Sequence, residues 1–167
     1  SRLMVGTGKF ASTEILRAAL EASETEIVTV ALRRVDLQAA TDSILAAIDC
    51  KKCQLLPNTS GAHTAEEAIL LAQLSREAGL GDWVKLEVIP DPRYLLPDGS
   101  ETFAAAKRLV KEGFTVLPYI QADPIVAKQL ADAGCATVMP LGSPIGSNRG
   151  LKTKQALEII IEQAEIP

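Results

Sequence analysis

Trp83-Val84-Lys85-Leu86-Glu87-Val88-Ile89-Pro90-Asp91 is a short apolar run interrupted by one amine and one acid. Read as a β-strand, it places Val84, Leu86 and Val88 on one face and Trp83, Lys85, Glu87 and Ile89 on the other, with the lysine and the carboxylate one pleat apart. If the strand belongs to a parallel sheet covered by helices, neither face sees bulk water, and an amine and an acid placed there require a partner or a chemical task. Polar residues on the inward face of a mid-chain strand suit the interior of a closed barrel better than an open, doubly wound sheet.

Outward from this stretch the chain alternates strand-like and helix-like segments. Leu3-Met4-Val5, Ile27-Val28-Thr29-Val30-Ala31 and Gln54-Leu55-Leu56-Pro57 precede it, and Thr115-Val116-Leu117-Pro118-Tyr119 and Thr137-Val138-Met139-Pro140 follow. Helices are expected from Ser12 or Thr13 to about Ala22, more weakly from Thr41 to Ile48, and after Thr64-Ala65-Glu66-Glu67, a capping box in which Thr64 and Glu67 satisfy orphan amides reciprocally. Gly79 is its expected stop. Further helices are expected from Ser100 to Lys111 before Gly113, after Asp123-Pro124 with proline in the first turn, and from Lys154 to Ala164.

Strands alternating with helices imply parallel strands joined by right-handed crossovers, an α/β class. No G-x-G-x-x-G follows the first strand. Leu55-Leu56-Pro57, Val116-Leu117-Pro118 and Val138-Met139-Pro140 each close a strand with two apolar residues and proline, where the ladder is expected to stop and the chain to turn outward. The expected fold is a (β/α)8 TIM-type barrel with about six βα units, one domain over residues 1–167. A complete barrel typically takes about 250 residues.

The chain has 167 residues, 47% hydrophobic and 23% charged, an ordinary globular composition. A net charge of −4 with scattered basic residues argues against a nucleic-acid partner. No apolar run approaches the roughly 20 residues of a membrane span, and no secretory pattern opens the chain, so a cytoplasmic or organelle-matrix location is expected. Cys50 and Cys53 are spaced C-x-x-C, but with Cys135 distant in sequence and His63 the single histidine, a four-ligand zinc site is hard to assemble. The pair reads as two free thiols in a connector. No metal and no cofactor are expected.

Lys85 is the main candidate for chemistry. Apolar surroundings penalise a charged amine, and a neutral lysine attacks a ketone to form an imine. Glu87 on the same face could move protons to and from the carbon chain. A structural Lys–Glu pair fits the same pattern. Gly6-Thr7-Gly8-Lys9-Phe10 fails the phosphate-loop spacing and reads as a tight strand-to-helix turn. Arg33 and Arg34 could clamp an anion at the rim or pair with Asp36 or Glu14. His63 reads as an exposed rim residue. The loop Gly142-Ser143-Pro144-Ile145-Gly146-Ser147-Asn148-Arg149-Gly150 is long and glycine-rich, as binding loops often are.

Taken together, Gly6 to Phe10, Leu56-Pro57-Asn58-Thr59-Ser60-Gly61-Ala62, Thr64 to Ala68, Val84 to Val88, Leu95-Leu96-Pro97-Asp98, Val116 to Tyr119 and Met139-Pro140 through Ser143-Pro144-Ile145-Gly146-Ser147 resemble thiazole synthase of thiamin biosynthesis, over essentially the whole chain. The resemblance implies condensation of 1-deoxy-D-xylulose 5-phosphate, dehydroglycine and sulfur from the thiocarboxylate of a ubiquitin-like sulfur carrier protein into the thiazole phosphate. It puts the imine-forming lysine at Lys85, the acid/base glutamate at Glu87 and a substrate-contacting glycine at Gly146. Ser147 and Asn58 complete the candidate substrate-binding set. It also implies a homo-oligomer in cytoplasm or plastid stroma. Family members continue past the position of Pro167 with two more strands, carrying an Asp-Ala-Gly and an Asn-Thr segment, so the chain is expected to be a shortened form. Two alternatives accompany this reading: another imine-forming, aldolase-like phosphosugar enzyme, or an inactive incomplete barrel that only docks the carrier.

Overall fold

The computed structural model describes residues 3–31 and 44–167. The elements run β1 (Met4–Gly6), α1 (Thr13–Ser23), β2 (Ile27–Ala31), a 3-10 turn (Leu45–Ala47), β3 (Gln54–Asn58), α2 (Ala65–Glu77), β4 (Trp83–Leu86), α3 (Gly99–Lys111), β5 (Thr115–Ile120), α4 (Pro124–Asp132), β6 (Met139–Pro140) and α5 (Lys154–Gln163). Residues 41–43 of the helix expected from Thr41 to Ile48 lie outside the described residues, as do Arg33 and Arg34. Its described end is the short 3-10 turn.

All six strands are parallel and stand in sequence order, β1-β2-β3-β4-β5-β6. A doubly wound sheet reverses its order partway, with helices on both faces. Consecutive order with right-handed crossovers keeps every helix on one face and lets the other face close on itself. The sheet curls accordingly: Met4 of β1, Lys85 of β4, Tyr119 of β5 and Met139 of β6 line one cavity. This is the TIM-type barrel architecture expected from the sequence.

The alternation read from the central stretch is realised in the packing. Val84, Leu86 and Val88 bury their side chains with Val116 and Ile120 against α2, α3 and α4, where Ala68, Ala72, Ala105, Ala106 and Ala127 let the helices sit close to the sheet. A second cluster joins Leu16 and Leu20 of α1 to Val28 and Val30 of β2 and to Ala47 and Ile48.

Side-chain caps start α1 to α4, whereas Thr153 before α5 makes no such bond. Ser12 accepts from the Ile15 amide, Asp98 from Glu101 and Asp123 from both Ile125 and Val126. The capping box opening α2 departs from the expected form. Thr64 accepts from the Glu67 amide, but the Glu67 carboxylate takes the amide of His63 instead of that of Thr64. Glu101 in the first turn of α3 accepts the free amide of Ala65, tying the two helix starts together. Asp98→Ala is expected to cost about 0.5–2 kcal/mol, read as a lowered urea midpoint at unchanged slope, because it removes the only side-chain cap of α3.

Pro140 ends β6 as expected, but Pro57 and Pro118 do not stop their strands. β3 continues to Asn58 past Pro57, and β5 to Ile120 past Pro118. Donors alternate sides along a parallel strand. Since the Gln54 amide points at β2 and the Thr59 amide at β4, the missing donor of Pro57 faces β4, whose ladder with β3 consists of the single pair Asn58–Lys85. Likewise the Thr115 amide points at β4, so Pro118 faces β6, where pairing begins one residue later at Tyr119–Met139. Each proline therefore sits where no ladder bond is asked of it.

The three cysteines are free thiols. Cys53 donates to the Thr25 carbonyl at 3.3 Å, Cys50 is exposed, and burial pushes the Cys135 thiol up to about 11. Iodoacetamide at pH 8 is expected to label Cys50 promptly and Cys135 only after denaturation, as peptide mass mapping would register. Among the described residues no helix is long and apolar enough to cross a membrane.

Candidate active site

The site is built where β4 runs out. Lys85 lies in register with Asn58 of β3 and Leu117 of β5, which puts its side chain on the inner face of the curled sheet. Its Nζ stands 3.1 Å from Glu87 Oε1, with the two side chains 20% and 8% exposed. Lys85 lines a cavity of about 480 Å3 whose other walls include Met4, Tyr119, Thr137, Val138, Met139 and Pro140. The cavity walls are mostly apolar, and Asn58 and Glu87 are the polar and charged side chains beside the amine. A carboxylate at hydrogen-bond distance can take a proton from the ammonium and return it to a bound molecule.

The strand is shorter than the sequence run: its ladder ends at Leu86, and Glu87 lies beyond it. The reason is that β3 supplies little more backbone to pair with. Thr59 donates its amide to the Lys85 carbonyl at 3.2 Å, and from there a side chain takes over. The Thr59 hydroxyl accepts from the Glu87 amide at 2.8 Å and donates to the Glu87 carbonyl at 2.7 Å.

Tyr119 extends the site. It follows Leu117 by one pleat on the inner face of β5, is 6% exposed, and its ring centroid lies 5.9 Å from Lys85 Nζ. Its hydroxyl donates to the Leu95 carbonyl at 3.4 Å. Leu95 has a positive φ of 55° in a rim loop that an Asp91–Leu96 bridge closes and that returns the Asp98 amide to the Val88 carbonyl. Burial, and then the Glu87 carboxylate, raise the phenol above its ordinary value, so it keeps its proton at neutral pH. Alternation in the sequence places Tyr119 at the end of a strand and gives it no chemical role. Its signal was a hydroxylated aromatic at the C-terminal end of an otherwise apolar strand.

Of the other residues singled out by sequence, Asn58 stands beside Lys85, its amide donating to Thr29 Oγ1 at 3.3 Å and its Oδ1 accepting from the Ser60 amide. Gly146 and Ser147 are elsewhere. They belong to the loop after β6, where Ser147 donates its hydroxyl to the Pro144 carbonyl and Gly146 takes a φ of 76°, and neither lines the Lys85 cavity. That loop is drawn together at its base by Lys152 donating to the Gly142 carbonyl and Thr153 to the Leu141 carbonyl. His63 is exposed at the rim, as expected, with Nδ1 3.0 Å from the Ile89 carbonyl. Gly6 ends β1, both the Thr7 amide and its hydroxyl donate to the Thr29 carbonyl of β2, and the chain turns at Gly8-Lys9.

Known proteins resemble this chain over its whole length. The family model for thiazole biosynthesis protein ThiG matches residues 1–167. Thiazole synthase of Syntrophobacter fumaroxidans is 64% identical over 167 residues, all of this chain and 65% of the relative. Thiazole synthase 2 of Syntrophotalea carbinolica has the same identity and coverage. The chain thus spans about two thirds of the length of these curated relatives. Among solved structures, the BexX/CysO complex of Amycolatopsis orientalis superposes with a TM-score of 0.86 at 29% identity, covering 100% of this chain and 68% of the other. The matched sequence, the consecutive parallel sheet and the superposed barrel agree: this chain belongs to the ThiG family of thiazole biosynthesis proteins.

Proposed function

We propose that this chain is the imine-forming portion of a thiazole synthase, which condenses 1-deoxy-D-xylulose 5-phosphate, dehydroglycine and carrier-borne sulfur into the thiazole phosphate of thiamin. The observation that carries the reading is the Lys85 Nζ–Glu87 Oε1 pair at 3.1 Å, facing a cavity on the inner side of the sheet. Its family and the names of its relatives support it.

In this reading Glu87 takes a proton from the Lys85 ammonium and frees the lone pair. The amine attacks the sugar's ketone carbon; the C–N bond forms, the carbonyl oxygen is protonated and leaves as water, and an imine remains. Positive charge on that nitrogen makes the adjacent carbon acidic. Glu87 can remove its proton and deliver it further along, which moves the carbonyl by one carbon and opens the neighbouring position to sulfur. Tyr119, keeping its proton, can donate a hydrogen bond to a substrate oxygen in the same cavity. Gly146, Ser147 and Asn58 are proposed to contact substrate, the first two from the loop after β6. The sulfur donor is a ubiquitin-like carrier, and the two-protein nature of the Amycolatopsis complex supports a protein partner at this fold. We further assign the protein to cytoplasm or plastid stroma and to a homo-oligomer of barrel subunits.

The test is sulfur transfer. Full-length protein incubated with the sugar phosphate, dehydroglycine and carrier bearing ³⁵S in its thiocarboxylate should release labelled thiazole phosphate. An imine at Lys85 with no label in any product would overturn the synthase reading in favour of an aldolase-like enzyme.

A further inference from the structure

We infer that Thr59 is a positioning residue for the Lys85–Glu87 pair, its single hydroxyl holding the backbone of Glu87 in place of a strand neighbour. The inference rests on the reading that Lys85 forms the imine and Glu87 moves its protons.

In a parallel sheet, residue 87 would exchange amide and carbonyl bonds with the backbone of the adjacent strand. Here β3 and β4 share only the Asn58–Lys85 pair, and the ladder ends before Glu87. The Thr59 hydroxyl fills both vacancies, accepting from the Glu87 amide at 2.8 Å and donating to the Glu87 carbonyl at 2.7 Å, in a residue 1% exposed. The Thr59 amide meanwhile holds the Lys85 carbonyl. One residue therefore fixes both members of the pair through their main chains. A β-branched hydroxyl suits the task because its χ1 is restricted, so the oxygen stays aimed. The carboxylate itself faces Lys85 at 3.1 Å, and Tyr119 is a further titratable group at the pair, its ring centroid 5.9 Å from Lys85 Nζ. Lys85 is the carboxylate's ion-pair partner, so a drift of the Glu87 backbone changes that contact directly.

Thr59→Val keeps the shape and deletes the hydroxyl. In full-length protein with 1-deoxy-D-xylulose 5-phosphate, borohydride-trapped adduct at Lys85 should form about 10²-fold more slowly, the scale of loss for a reacting group displaced by about an ångström. The slowing should not be uniform with pH. The part of the wild-type profile that requires a carboxylate should flatten, whereas a general loss of structure would lower the rate equally at every pH. Thr59→Ser should restore the rate to within about threefold. In a Glu87→Gln background, Thr59→Val should add little, because its effect passes through the carboxylate. Should Thr59→Val fail to fold by circular dichroism, Thr59→Cys takes the same readouts, with about a tenfold slower rate and the same flattening expected. A folded Thr59→Val or Thr59→Cys protein with the wild-type rate and profile would overturn the inference and leave the imine reading standing. Absence of any Lys85 adduct in wild-type protein would overturn both.

Discussion

Lys85→Arg is expected to abolish borohydride-trappable adduct with 1-deoxy-D-xylulose 5-phosphate and to lower thiazole formation by a factor on the order of 10³ or more, while leaving the protein folded. Arginine keeps the positive charge and the reach to Glu87, so the partly buried carboxylate retains a partner. It cannot serve as the nucleophile, because a guanidinium does not lose its proton at any working pH. The pairing function and the chemical function of residue 85 are thereby separated. Lys85→Ala is a poorer probe, since it strands Glu87 without its cation and mixes lost chemistry with lost stability. Melting within a few degrees of wild type, together with a missing adduct, is the outcome expected for Lys85→Arg. Retained adduct would place the imine on another lysine.

The second large effect lies in the packing. Leu109 on α3 is fully buried among Leu86, Val84, Val116 and Ala72, in the layer between helices and sheet. Leu109→Ala should cost about 2–5 kcal/mol, seen as a lowered urea midpoint with an unchanged slope. The backbone there is anchored on several sides, since the Leu109 carbonyl accepts from the amides of both Glu112 and Phe114, so the void should collapse poorly and the cost should fall in the upper part of that range. Because α3 packs on β5 and on its neighbouring helices, on the face of the sheet away from Lys85, the variant should lose thermal stability without a selective change in the pH dependence of trapping. A cost below about 1 kcal/mol would mean that this layer is looser than its burial indicates.

What the sequence made legible was mostly periodic. Val84, Leu86 and Val88 announce a buried strand face by alternation alone, and Ser12, Thr64 and Asp123 announce helix starts because a short polar side chain before a helical run has one common use. The barrel over the open sheet followed from Lys85 and Glu87 sharing a face, which an open sheet would drive into its helix layer. Features set by register between distant strands were not legible. Thr59 looks in sequence like any loop threonine, and only the single β3–β4 pair reveals that its hydroxyl replaces a strand for Glu87. Pro57 and Pro118 were read as strand ends for the same reason: whether a missing donor matters depends on which neighbour it faces. Tyr119 gained its place beside Lys85 from the curl of the sheet, which no local pattern encodes. The loop bearing Gly146 and Ser147 was legible as a loop, and its position away from the Lys85 cavity was not.

The most direct measurement of the central claim is the location of the covalent bond. Full-length protein is incubated with 1-deoxy-D-xylulose 5-phosphate, reduced with borohydride, digested and mapped by mass spectrometry. The expected result is one modified peptide containing Trp83 to Asp91, with the sugar's mass on Lys85. A modified peptide elsewhere, or bound sugar with Lys85 unmodified, would contradict it.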